Sequence, residues 1–128
     1  MLQYIVNIAN AGHPVLHLYS NDLTPDDDCP QEGVAGGPTE ITLAGYAGVT
    51  LTGSNWTTTQ SLGTTTARYG VVSPVGVTFT VTEGGPAYGY YVTDVSNGML
   101  WVERFSGAPF TMPAGGGDIA IVPQVQLT

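Results

Sequence analysis

The sequence predicts an all-β protein, an antiparallel β-sandwich or a jelly-roll-like barrel, and three observations predict it. No window repeats apolar residues at the spacing of an amphipathic helix, and the strong helix formers Lys, Glu and Arg are scarce beside abundant Thr and Val. Short alternating segments follow one another closely, punctuated by the chain's 18 Gly and 9 Pro. Finally, a β-hairpin is written into Tyr88–Phe105, where Asn97-Gly98 separates two runs of aromatic and β-branched residues.

Taken in order, Leu2–Ala9 has strand composition, and Asn10–Pro14 is a turn. Val15–Tyr19 is a second strand, with Val15, His17 and Tyr19 on one face and Leu16 and Leu18 on the other. Ser20–Pro38 then forms a long acidic loop holding Asp26, Asp27, Asp28 and Glu32, with almost no apolar residue to anchor it. Loops of that length in compact domains are usually functional or mobile. Ile41 and Leu43 mark a short strand, Gly45–Gly48 a bend, and Val49–Thr52 another short strand closed by Gly53. A Thr-rich segment starts at Trp56, followed by strands over Thr66–Val72 and Val75–Glu83. The last of these alternates cleanly, Val75, Val77, Phe79 and Val81 against Thr78, Thr80 and Thr82, as a half-buried strand should. Asp118–Leu127 closes the sequence, with Pro123 in phase with Ile119 and Ile121. Because proline cannot donate to a ladder, it makes this strand an edge or breaks it in two.

With Asn97-Gly98 as a two-residue type I′ loop, Ser96 faces Met99, Asp94 faces Trp101, Val92 faces Glu103 and Tyr90 faces Phe105. The opposite face pairs Val95 with Leu100, Thr93 with Val102 and Tyr91 with Arg104. A hairpin with one wet face alternates apolar with polar, but here both faces are apolar, so the second needs another layer or a partner chain. Tyr90, Val92, Trp101 and Phe105 are the expected interface residues.

Residues 1–128 are one domain by length, with a long acidic loop at 20–38. The formal charge is −8, lysine is absent, and Arg68 and Arg104 are the fixed cations, so nucleic acid and anionic membrane surfaces are poor partners. Charged residues make up 9% of the chain against about a quarter in ordinary soluble domains, which suits a protein packed among neighbours. Cys29 has no partner for an internal disulfide and is expected to be an ordinary loop thiol. Met1–Ile8 lacks the basic and apolar regions of a secretory signal, and no window approaches the ~20 apolar residues of a membrane span, so synthesis and solubility in a cytoplasm are expected.

The search for chemistry finds little. A nucleophile, a histidine and an orienting carboxylate would be needed for triad catalysis, and the histidines are His13 and His17. On a strand these two would lie roughly 13 Å apart, too far to chelate one ion. Asp26, Asp27, Asp28 and Glu32 are the candidate ligands for calcium, but they lack the alternating Asp–Gly pattern of an EF-hand loop. The Gly-rich stretches Gly33–Gly37 and Gly115–Gly117 have no Walker lysine, and Asp94 with Glu103 is a weak glycosidase pair beside Trp101. A protein with no catalytic residues and no cofactor is expected.

Thr39–Trp56, Tyr88–Asp94, Leu100–Phe105 and the closing Gly117-Asp118-Ile119 resemble small virion structural proteins of tailed bacteriophages, over roughly residues 39 to 128. The resemblance implies a non-enzymatic virion component, foremost a capsid decoration (cement) protein that binds the major capsid protein and stabilises the shell. As such it would be a homotrimer or other homo-oligomer, located in the capsid after synthesis in the host cytoplasm. The alternative it implies is a tail or fibre component, either an adaptor or an adhesin for host glycans.

Overall fold

A computed structural model describes residues 14–51, 56–69, 76–94 and 98–127. Among them there are eleven strands and no helix: β1 Val15–Tyr19, β2 Val49–Thr50, β3 Trp56–Ser61, β4 Thr64–Tyr69, β5 Val77–Val81, β6 Gly85–Ala87, β7 Gly89–Thr93, β8 Met99–Arg104, β9 Phe110–Met112, β10 Gly117–Ile121 and β11 Gln124–Leu127. Every pairing is antiparallel. The all-β expectation therefore holds, but the strands form four separate ladders, ordered β2-β1-β7-β8, β10-β5, β11-β4-β3 and β6-β9. No ladder closes on itself among the described residues.

One core joins three of these ladders. Leu16 and Leu18 of β1 lie opposite Val92 and Tyr90 of β7, so all four point to one side of the four-stranded sheet. They meet Val77, Phe79 and Val81 of β5 and Ile119 and Ile121 of β10 in a single buried cluster completed by Ile41, Leu51, Ala87 and Met112. The alternation read in Val77–Val81 is the observed one, apolar residues buried and threonines exposed. The phase read in β1 holds as well: Leu16 and Leu18 are core, and Val15 and His17 are half-buried on the other side.

Pro123 divides the closing segment. β10 before it pairs with β5, and β11 after it pairs with β4 in a different ladder. A buried residue with no N–H cannot continue one ladder, so it serves as the corner where the chain changes sheet. Two expectations are corrected. Ile41 and Leu43 do not form a strand, because the segment touches β1 through a single bridge, Tyr19 to Glu40, and then turns at Ala44-Gly45. The Thr-rich segment is a hairpin, β3–β4, turning at Leu62-Gly63 with positive φ at both residues (48° and 81°), as a type I′ turn requires. Leu2–Ala9, His13, residues 70–75 and Asn97 lie outside the described residues.

Candidate functional site

The expected hairpin forms, in a different register. β7 pairs with β8 as Gly89↔Arg104, Tyr90↔Glu103, Tyr91↔Val102 and Val92↔Trp101, then a bulge brings Thr93 opposite Met99. Met99 is therefore not opposite Ser96, and a two-residue loop at Asn97-Gly98 is excluded. The loop is instead closed by Asp94, whose N–H donates to the Gly98 carbonyl at 2.8 Å and whose Oδ1 accepts the Gly98 N–H at 2.8 Å. Two further contacts hold this register. Tyr90 donates its hydroxyl to Glu103 Oε2 at 2.6 Å, and Gly89 lies so close to the Glu103 carbonyl and the Tyr19 ring that any Cβ there would collide with both. From Gly89 to Val92 the shift is by two residues, so side chains there share a face as in the expected register, and beyond the bulge the pairing of Thr93 with Met99 departs from it.

Where the four expected interface residues lie decides what they can do. Tyr90 and Val92 are 4% and 0% exposed in the subunit's own core and offer nothing to a partner chain. Trp101 and Phe105 are partly buried against that core, Phe105 within 6.3 Å of the Tyr90 ring. The same register separates Asp94 from Glu103. Glu103 sits opposite Tyr90, four residues along from Asp94, or roughly 13 Å at the strand rise. Glycosidase carboxylates stand no more than about 9.5 Å apart, so these two do not form such a pair.

The second face of the sheet is covered by the chain's own acidic loop. Its ends meet where the Ser20 N–H donates to the Thr39 carbonyl at 2.8 Å, and Asn21 bonds both Gly37 and Thr39 across the neck. Arg104 Nη1 donates to Asp22 Oδ1 at 2.6 Å and to the Leu23 carbonyl at 2.9 Å, while the Arg104 guanidinium lies 5.3 Å from the Tyr88 ring centre. The Tyr19 hydroxyl reaches the same Leu23 carbonyl, and the Met99 N–H donates to Gln31 Oε1 at 2.7 Å. Loop residues Asp26, Asp27, Cys29 and Gln31 thus form one wall of a cleft of about 360 Å³ whose other wall is β8, from Met99 to Val102. Polar anchors hold this loop in place of the apolar ones the sequence lacks. Burial, reinforced by Asp26, pushes the Cys29 thiol up, away from the thiolate that a reactive cysteine needs.

On the same face of the sheet lies an acid–histidine–hydroxyl series that the sequence reading missed. Glu40 Oε1 is 2.7 Å from His17 Nδ1, and His17 Nε2 is 3.0 Å from Thr93 Oγ1. With the Nδ1 proton donated to the carboxylate, Nε2 accepts from the threonine, the tautomer that this arrangement favours. The imidazole stacks on Tyr91 at 4.8 Å, and Tyr46 donates its hydroxyl to Glu40 Oε1 while accepting the Leu18 N–H. The order of groups matches a hydrolytic triad, but the access does not. Thr93 is 4% exposed, and a Cβ on Gly48 would press on the imidazole at 3.1 Å, so backbone already lies over the ring. The series satisfies buried polar groups and ties β1 and β7 to the segment at Glu40, residues separated by 23 and 76 positions in sequence.

Asp26, Asp27, Asp28 and Glu32 are all exposed, and Asp26 Oδ1 is engaged by the Asp28 N–H at 3.1 Å. Among the described residues no three His, Cys, Asp or Glu side chains converge as metal ligands. A further groove, of about 460 Å³, lies between the β8–β9 connection and β10, lined by Phe105, Pro109, Phe110, Asp118 and Ile119. Phe110 stands 46% exposed at its edge. Comparison with protein-family models, with curated proteins and with solved structures finds no match.

Proposed function

We propose that the protein is a non-enzymatic structural component of a bacteriophage virion, a capsid decoration protein that binds the major capsid protein and stabilises the shell. The observation that carries the reading furthest is the groove at Phe105, Pro109, Phe110 and Ile119. The two faces of the β7–β8 hairpin are covered by the core and by the acidic loop, whereas Phe110 stands exposed at this groove, which supports it as the place where an aromatic anchor meets a partner. A surface poor in charge, with no lysine, supports packing among neighbours, since unpaired charges are costly to bury. The inaccessible Thr93 hydroxyl favours binding over catalysis.

Mass spectrometry of purified particles tests this. A decoration protein is present at capsid stoichiometry, on the order of hundreds of copies as shell symmetry demands. A few to a few tens of copies would move it to the tail, and absence from particles would end the virion reading. Phe110→Ala, exposed and outside the core, is expected to leave folding intact and to lower particle occupancy about tenfold, the loss of a single aromatic anchor.

A further inference from the structure

We propose that two copies of this chain associate through the outer edge of β3, joining their three-stranded ladders into one continuous six-stranded sheet across a two-fold axis. The inference stands on the chemistry of that edge and does not depend on the virion reading.

β3 is the terminal strand of its ladder, and among the described residues no strand pairs with its outer side. The Ser61–Thr64 pair closes the two-residue turn, so residues 57, 59 and 61 bond inward to β4. Residues 56, 58 and 60 therefore present their backbone N–H and C=O groups outward. An exposed row of this kind is a template for another strand, which proteins normally blunt with charge, proline, a bulge or shortness. Several of the other edges are blunted: β2 has two residues and β9 three, β6 contains Pro86, β8 bears Glu103 and Arg104, and β10 carries Asp118, while β5 and β11 are uncharged but shorter than β3, at five and four residues. In contrast, β3 is six residues long, pairs with β4 without a bulge, and contains no proline and no charge.

The occupant follows from electrostatics. In a two-fold antiparallel pairing centred on Thr58, residue 58 lies opposite 58 and 56 opposite 60, so the outward groups of each strand meet those of the other. A charge near such an axis faces its own copy and repels it. No Asp, Glu, Lys, Arg or His occurs anywhere from Ile41 to Ala67, in a chain whose net charge is −8. This uncharged stretch is where two acidic molecules approach with least repulsion, and its threonines favour the extended backbone that strand addition needs.

Analytical ultracentrifugation combined with residue-resolved amide exchange tests the proposal on the full chain. The expected result is a monomer–dimer equilibrium in which exchange at Thr58 and Gln60 slows about tenfold with rising protein concentration, while Thr57, Thr59 and Ser61 stay unchanged. Gln60→Pro removes one outward donor without touching the β4 ladder and should leave a folded monomer by circular dichroism. A wild-type monomer at the highest concentration overturns the proposal, as does a dimer that persists undiminished in Gln60→Pro. Protection of Thr58 and Gln60 that does not vary with concentration also overturns it, because the edge is then closed by the same chain.

Discussion

Leu62 occupies the left-handed region at φ 48° with its side chain entirely exposed (103%), so it has a steric cost and no packing to offset it. For a residue with a branched γ carbon that cost is about 1–2 kcal/mol, whereas asparagine tolerates the region and is a favoured first residue of a type I′ turn. Leu62→Asn is therefore expected to raise stability by about 1 kcal/mol in urea titration. It should leave self-association through β3 unchanged, because the outward backbone groups are untouched. The His17 series shows the opposite pattern, with the ring held on both nitrogens and stacked on Tyr91. A histidine on a strand gives no sign of this in sequence, since Glu40 and Thr93 come from distant segments. A carboxylate flanking the next strand-like segment, at Glu40, was the one signal available.

Among elements, the Tyr88–Phe105 hairpin was legible as a hairpin and its faces were legible from alternation, but its register was not. Turn propensity favours Asn97-Gly98 as the loop, yet Asp94 offers both its N–H and its carboxylate to Gly98, and Tyr90 bonds Glu103. These contacts, with the close approach at Gly89, outweigh the preference of two turn residues. The acidic loop shows a similar limit. Its composition suggests mobility, but Arg104 and Gln31 tie it to β8. Arg104→Ala removes an ion pair with exposed Asp22, worth little by itself, along with the bond to Leu23 and the contact with Tyr88. The expected cost is about 1–2 kcal/mol, read as a drop of about 5 °C in melting temperature. Limited proteolysis should show new cleavage within Ser20–Pro38, and unchanged resistance would mean that the loop is held by its own turns.

At the scale of the whole molecule, four tyrosines couple stability to alkaline pH. Burial pushes the Tyr19 hydroxyl up to about 12, with Arg104 opposing, and burial also raises Tyr46, Tyr90 and Tyr91, with Glu103 adding to Tyr90 and Glu40 to Tyr91. Unfolded, these groups ionise near 10, so above that pH the unfolded chain has released protons that the folded chain still holds. Their contribution is complete below pH 10 and is lost as pH rises through the folded values. Stability is therefore expected to stay level through this part of the titration up to pH 9 and to fall steeply beyond 10, with the tyrosinate absorbance of these four residues appearing together with unfolding. Three of the chain's seven tyrosines lie outside this set, so tyrosinate absorbance exceeding that of three tyrosines at pH 10 in a still-folded protein would contradict the burial of these four rings.

The all-β class, the phase of β1 and β5, and the break at Pro123 were determined by sequence alone, because each follows from side-chain alternation or from a missing N–H within a few residues. Tertiary structure decided the register of the β7–β8 hairpin, the covering of its second face by the acidic loop, and the meeting of Glu40, His17 and Thr93. Those outcomes depend on competition among contacts between distant segments, where a hydrogen bond or a collision at one residue outweighs local preference.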